Sequence, residues 1–528
     1  MLYQNSQEVQ AREIQKQRLQ RLAGELEQAR YSLVKQLADI DCSLSLLGRE
    51  YSALHNTSAL INRLPSELLC LVFSYCLNEP RLTGDGYYIY EGERSVPEVT
   101  VSHVCQHWRG VALSFPQLWS TFRYKTPKWK RPPIDRLTAY LTRSHPVCMD
   151  LYVYITSVAH EDMSVLDMAA QHIHRWRRAT IISEDNKFNW TKLSSTLQDK
   201  AAPNLEYFSF RPSLYVTGHT SSGHLAPISR LEPKIFKRGA PKLAYIHLDS
   251  TVPYFFLPPI ANVRTLCLDA KYVGPSSITW PAFLSILALP SLTSLSIGGD
   301  VLLPPTADQV GEPIQAQSLK HLRWSTDPTA LDNLLSYLDA PNLETLVLCR
   351  IQLPNKPARP TASLPALRSL HVIECGRLGA EYIAFLASAC PGITQLNMSY
   401  YQPSDGHLLG FLVHEYEQHG RAHWEGLKQV TCYLDGVDAV APYLEFARPR
   451  AGDGEKRLVL RVSRRLLKSW QEQVPDGFAE LGEMCALETW NDPSDISPGR
   501  WPPGDDVFST FQTERSSHFN FAVDWNEF

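Results

Sequence analysis

The apolar positions near the start of the chain fall along one line of a helix. Leu19, Leu22, Leu26, Ala29, Leu33, Leu37, Ile40, Leu44, Leu47, Tyr51 and Leu54 follow alternating steps of three and four, with one extra four between Leu33 and Leu37. This predicts a long amphipathic, coiled-coil-like helix over residues 1–57 with a single stutter. Arg12, Glu13, Lys16, Arg18, Arg21, Glu25 and Glu27 fill its other faces. The stripe either packs on a second copy, giving self-association through residues 12–55, or folds back on the same chain.

A denser apolar run follows. Pro65 suits the first position of a helix because its missing N–H would be unpaired there, and Glu67 places negative charge near the positive helix end. The run from Leu68 to Phe73 spans more than a turn without a polar break, so its side chains point to nearly every side. One side can pack inward, and another is left for a partner. Residues 78–97 read as an inserted loop, and helical spacing returns at Val101, Val104, Trp108 and Val111 or Ala112. Phe115-Pro116-Gln117-Leu118-Trp119 closes a helical module spanning residues 58–124.

Beyond it, short helices alternate with short strands. Helices are predicted over 134–143 and 161–174, strands over 149–155 and 178–183. A loose leucine-x-x-leucine-x-leucine phrase then recurs, at Leu205, Leu243, Val263, Leu292, Leu319, Leu343, Leu367, Ile393 and Leu427 as first positions. The steps between these are 38, 20, 29, 27, 24, 24, 26 and 34 residues, mostly within the range of leucine-rich repeats. Ala202-Pro203, Ala240-Pro241, Leu289-Pro290, Ala340-Pro341 and Cys390-Pro391 precede several of the phrases, where proline stops a helix. One such unit buries too little surface to stand alone, so the pattern predicts an α/β solenoid over residues 125–465. A helical patch continues to about Trp490. Residues 466–528 form a cap or tail, with Trp501, Phe508, Phe511, Phe519, Phe521 and Trp525 as aromatics able to dock.

Composition narrows the function classes. A net charge of -4 from 51 basic and 55 acidic residues supplies no general attraction to nucleic acid or anionic lipid, so neither is an expected partner. The first residues lack the apolar core of a secretory signal, and no run approaches the roughly 18 apolar residues of a bilayer span. Cytoplasm or nucleus is the expected location. The 11 cysteines contain no C-x-x-C pair, which suits reduced, buried thiols.

Candidate chemistry is thin. His103 and His107 flank Cys105, but without a second ligand cluster they read as surface histidines. His172 and His174 precede Arg175-Trp176-Arg177-Arg178, read as a solvated helix end. The nucleotide-binding, hydrolase and metalloprotease signatures are all missing from the sequence. The polar loop Gly218–His224 is the nearest thing to a catalytic loop.

Leu64-Pro65-Ser66-Glu67-Leu68-Leu69, then Val72-Phe73, then Val101-Ser102-His103-Val104-Cys105-Gln106-His107-Trp108-Arg109 and Leu118-Trp119, together resemble an F-box, in particular the F-box-like proteins abundant in fungi. The resemblance covers about residues 60–122, and the layout of leading helix, F-box and degenerate repeats is similar to that group. It implies a substrate receptor of an SCF-type cullin-RING ubiquitin ligase. Such a receptor docks to the Skp-type adaptor, through it reaches a cullin, and holds a protein substrate on its repeats. Leu64, Pro65, Leu68, Leu69, Val72 and Phe73 match the first part of the motif, and Val104, Trp108, Leu118 and Trp119 the second. These ten are the adaptor-binding candidates. The resemblance implies no catalytic residue, metal or cofactor in this chain. Two departures stand out: the 78–97 insertion, and Cys375 as the one residue at the Asn/Cys position of the repeat consensus. The alternative is a non-catalytic scaffold that uses the coiled coil and repeats without a ligase.

Overall fold

Helix α1 runs from Leu2 to Ser58, and every described side chain from Gln10 to Tyr51 is exposed. Among the described residues, the apolar stripe is therefore exposed along its length. Lys16 with Glu13 and Arg21 with Glu25 pair one turn apart along its polar sides. The structure is a computed structural model, and it describes residues 2–78, 96–125, 134–155, 163–183, 190–212, 227–249, 252–269, 278–299, 301–306, 313–352, 363–373, 380–400, 423–434, 440–451, 457–490 and 501–503, with a few isolated positions between them. Among these, no helix is long and apolar enough to cross a membrane.

The chain is α/β and forms two units, the first holding the described residues up to Leu118 and the second those from Trp119 onward. The first contains α1, a 3-10 turn at Leu60–Arg63, α2 (Ser66–Asn78), α3 (Pro97–Ser102) and α4 (Gln106–Leu113). Pro65 stands one position earlier than expected. It precedes α2, and its carbonyl accepts from the amides of Leu68 and Leu69 at 3.0 and 3.1 Å.

The second unit is built on one open sheet of fourteen parallel strands in strict chain order. They are β1 (Thr121–Lys125), β2 (Met149–Ile155), β3 (Trp176–Ser183), β4 (Tyr207–Pro212), β5 (Tyr245–Asp249), β6 (Thr265–Asp269), β7 (Ser294–Gly298), β8 (His321–Ser325), β9 (Thr345–Cys349), β10 (Ser369–Ile373), β11 (Gln395–Tyr400), β12 (Gln429–Leu434), β13 (Leu458–Ser463) and β14 (Cys485–Trp490). All nine leucine phrases contribute strands, β4 to β12. Two strands differ from the sequence expectation. Thr121–Lys125 pairs with β2 as an edge of the sheet, although its position suggested the helical module. Cys485–Trp490 pairs with β13, where a helical patch was expected. Trp119 also belongs to this second unit, edge-on to Tyr140 at 5.4 Å and under the Arg143 guanidinium at 4.4 Å.

Register explains the phrase. Phe122, Leu151, Ala179, Phe208, Ile246, Leu266, Leu295, Leu322, Leu346, Leu370, Leu396, Val430, Leu460 and Leu487 lie side by side, one from each strand. All are buried except Leu487 on the edge strand, which is half-buried. The first leucine of each phrase closes a turn rather than joining a strand. Leu205, Leu243, Leu292 and Leu343 donate to the carbonyls of Ala202, Ala240, Leu289 and Ala340 at 3.1 to 3.2 Å, with proline second in the turn. The third turn residue reaches back one repeat: Asn204 donates to His174 O, Asn262 to Pro241 O, Ser291 to Ala261 O, Ser318 to Pro290 O and Asn342 to Gln317 O. Neighbouring turns are thus stitched as the strands are.

Candidate docking surface

Alternate sides of α2 meet different surroundings. Leu69 and Phe73 point inward and are fully buried, together with Val101, Val111 and Ala112 from α3 and α4. The Phe73 and Trp108 rings meet with centroids 5.1 Å apart. Trp108 Nε1 donates to Asn62 Oδ1 at 2.7 Å, and Asn62 Nδ2 donates to Asn56 O at 2.7 Å. Asn62 therefore ties α4 to the turn ahead of α2. Cys105 caps α4, its sulfur accepting from Trp108 N at 3.4 Å.

The opposite side of α2 is open. Leu68, Leu71, Val72 and Tyr75 are 46, 55, 36 and 75 % exposed, and their spacing of three, one and three places them on one helical face. Leu60 and Ile61 ahead of the helix and Val104 between α3 and α4 are exposed as well. Four exposed large side chains on one stretch of a short helix differ from isolated apolar residues on a surface, which are ordinary.

The ten sequence candidates separate accordingly. Leu68, Val72, Val104 and Pro65 are exposed, and Leu64 and Trp108 are half-buried. Leu69, Phe73 and Leu118 are buried in the first unit and Trp119 in the second, so these four hold structure together and present no surface. Leu71 and Tyr75 belong to the open face although the motif did not select them. The i, i+3, i+4, i+7 spacing from Leu68 was the signal that finds them.

The sheet carries a second unusual surface. Opposite its apolar row, Ser209, His247, Cys267, Ser296, Arg323, Val347, His371, Asn397 and Thr431 stand side by side on β4 to β12, and all are buried. Polar groups here bond to one another. His247 Nε2 lies 2.9 Å from Asp269 Oδ2, Arg323 Nε donates to Ser296 Oγ at 2.9 Å, and Asn397 Nδ2 lies 2.9 Å from His371 Nδ1. Tyr207 and Tyr245 stack with centroids 4.4 Å apart. Cys267, next to His247 in register, is not prepared as a nucleophile: burial pushes its thiol up to about 12, against a smaller downward pull from Arg323, and a neutral thiol attacks poorly.

Trp501 also lies on this face. It shares a buried cluster with Tyr207, Tyr245, Cys267, Val347, Cys349 and Ile373, the Arg323 guanidinium sits 4.9 Å from its ring centroid, and the His321 ring stands edge-on at 6.2 Å. This aromatic thus covers the middle of the sheet instead of capping its end. The other tail aromatics lie outside the described residues, as do residues 79–95 of the insertion and the Gly218–His224 loop.

The basic cluster at 175–178 is not a solvated helix end. Arg175 is buried and donates to Leu141 O, Val147 O and Ser144 Oγ at 2.6 to 3.1 Å, closing the C-terminal end of helix Ile134–Arg143. Arg177 makes a two-point pair with buried Asp150 at 2.9 and 2.6 Å, and that hydrogen bonding raises the guanidinium's pKa above its ordinary value. A phosphate-binding reading has no exposed Arg175 to use. Among the described residues, no three His, Cys, Asp or Glu side chains gather as a metal site.

A scan against protein-family models finds no match to this chain, and a search of the curated proteins finds none either.

Proposed function

We propose that the chain is an F-box-like substrate receptor of an SCF-type ubiquitin ligase, with its fourteen-stranded unit acting as a leucine-rich-repeat-like solenoid. The observation that carries this reading is the uncovered face of Leu68, Leu71, Val72 and Tyr75, within the segment whose residues resemble an F-box. In this reading the face docks to the Skp-type adaptor by burial of apolar surface. Each side chain, already partly covered, would contribute on the order of 1 kcal/mol, a part of the 1.5–3 kcal/mol for full burial. The sheet unit holds a protein substrate in the cytoplasm or nucleus, and ubiquitin transfer belongs to other subunits. The receptor's contribution is local concentration, not bond making.

The test is capture of purified Skp-type adaptor and cullin by the full chain. Replacing Leu68 and Val72 together by Asp is expected to weaken capture at least about a hundredfold, or some 2.7 kcal/mol. Both positions are exposed, so the circular dichroism spectrum and urea midpoint should stay as in the parent. Undiminished capture by the double variant would falsify the docking assignment.

The exposed stripe of α1 favours a second role, self-association through residues 12–55, which the scaffold alternative would also use. Light scattering of the full chain and of a chain beginning at Ser58 should give fewer copies per particle for the shorter one. Equal copy numbers would rule out α1 as the self-association element.

A further inference from the structure

The polar face of the sheet has an occupant. Trp501 is 2 % exposed, Pro502 is buried and Pro503 half-buried, yet this segment belongs to no strand or helix of the sheet unit. It belongs to a buried cluster that extends across the sheet from Tyr207 on β4 to Ile373 on β10, and its ring partners are both on β8: the Arg323 guanidinium 4.9 Å from its centroid and the His321 ring edge-on at 6.2 Å. A face whose neighbouring positions are Ser209, Ser294, Ser296, Asn397 and Thr431 thus includes one place where an indole is buried against an arginine and a histidine. An indole held under an arginine and beside a histidine ring is the kind of contact that anchors peptides, where rigid rings and cation–π contact give specificity at low entropic cost.

We infer that this face is a peptide-binding surface selective for an aromatic residue followed by proline, and that the chain's own Trp501-Pro502-Pro503 is a resident ligand that a target segment must displace. The inference rests on the reading that the sheet unit selects the target. It adds the chemistry of that target and the reason binding is conditional. A tethered ligand acts at an effective concentration of about a millimolar, so a free segment of equal intrinsic affinity competes poorly until the tether is released. The contact is intramolecular, which distinguishes it from the face of α2, where Leu68, Leu71, Val72 and Tyr75 are exposed among the described residues.

The probe is a fluorescently labelled peptide with the sequence of residues 497–507, titrated with the full chain and followed by anisotropy. The parent should bind weakly, and Trp501→Ala should bind at least about tenfold more tightly because its own segment no longer competes. Adding Arg323→Ala to that variant should reverse the gain, as should an alanine at the peptide's tryptophan. Equal affinity for parent and Trp501→Ala overturns the inference, as does a gain that Arg323→Ala leaves untouched. If Trp501→Ala lowers the melting temperature below the assay temperature, Trp501→Leu carries the same test. It keeps apolar cover on the sheet but removes the indole over Arg323. Adaptor capture measured on the same preparations reports on α2 alone, so failure of the docking reading and failure of this inference give separate results.

Discussion

The helical unit leaves apolar side chains in water, whereas the sheet unit buries polar ones. On α2, Leu68, Leu71, Val72 and Tyr75 stay open although the helix has a fully packed side at Leu69 and Phe73. On the sheet, His247, Asp269, Ser296, Arg323, His371 and Asn397 are withdrawn from solvent although the opposite face already supplies an apolar core. Uncovered apolar surface carries a cost in water that a partner can remove. Buried polar surface is tolerated when its groups bond to one another, and Trp501 supplies part of the cover. The two surfaces therefore differ in state: the side chains on one are exposed, and the other is buried with Trp501 lying against it.

The largest effect that tests this contrast is on the inner side of α2. Phe73→Ala should cost about 3–5 kcal/mol, read as a lower urea midpoint, because a buried ring leaves a cavity against Trp108. Next, Asn62→Ala removes the acceptor of the Trp108 indole N–H and should cost about 1–3 kcal/mol in the same assay. A smaller, pH-dependent effect belongs to the sheet. Burial holds the His321 imidazole below its ordinary 6.5, outweighing the opposing pull of Glu344, so the folded chain prefers the neutral ring. The unfolded chain then takes up the proton first as pH falls. The contribution is complete above about 6.5 and is lost as pH descends through the lower folded value. His321→Asn should therefore flatten the acid limb of melting temperature between about pH 7 and 5, and an unaltered limb would show that the ring is not held from water. Smallest of all, Leu71→Asp should change stability by no more than about 0.5 kcal/mol. A loss comparable to that of Phe73→Ala would mean the outer face of α2 is covered after all.

Much of the sheet was legible because its signal is local and repeated. In each phrase the second and third apolar positions lie two apart, which puts both on the same side of a strand, and in six of the nine the turn ahead of them has proline at its second position. Where that spacing was absent, the edges were missed: Thr121–Lys125 adjoined a helical module, and Cys485–Trp490 followed two helices without a proline turn. The site was half legible. Motif matching selected Leu69, Phe73, Leu118 and Trp119 alongside Leu68 and Val72, because a motif records which positions need apolar residues and not whether the need is packing or docking. Asn62 gave no signal, since its role depends on an indole brought to it from α4. Arg175 likewise looked like a helix-end cation, and it is one, but for Ile134–Arg143 rather than for the helix beside it in sequence.

By itself, then, the order of residues determined the long leading helix, the nine phrase strands and the side of each strand that faces the core. Periodicity is written in neighbouring residues, and backbone geometry converts it directly into faces. Tertiary structure alone decided which side of α2 stayed open, that polar groups on the other face of the sheet would be buried together, and that Trp501 would lie over Arg323. These depend on which surfaces meet across long stretches of chain, and a side chain's burial is a property of that meeting, not of the residue's own type.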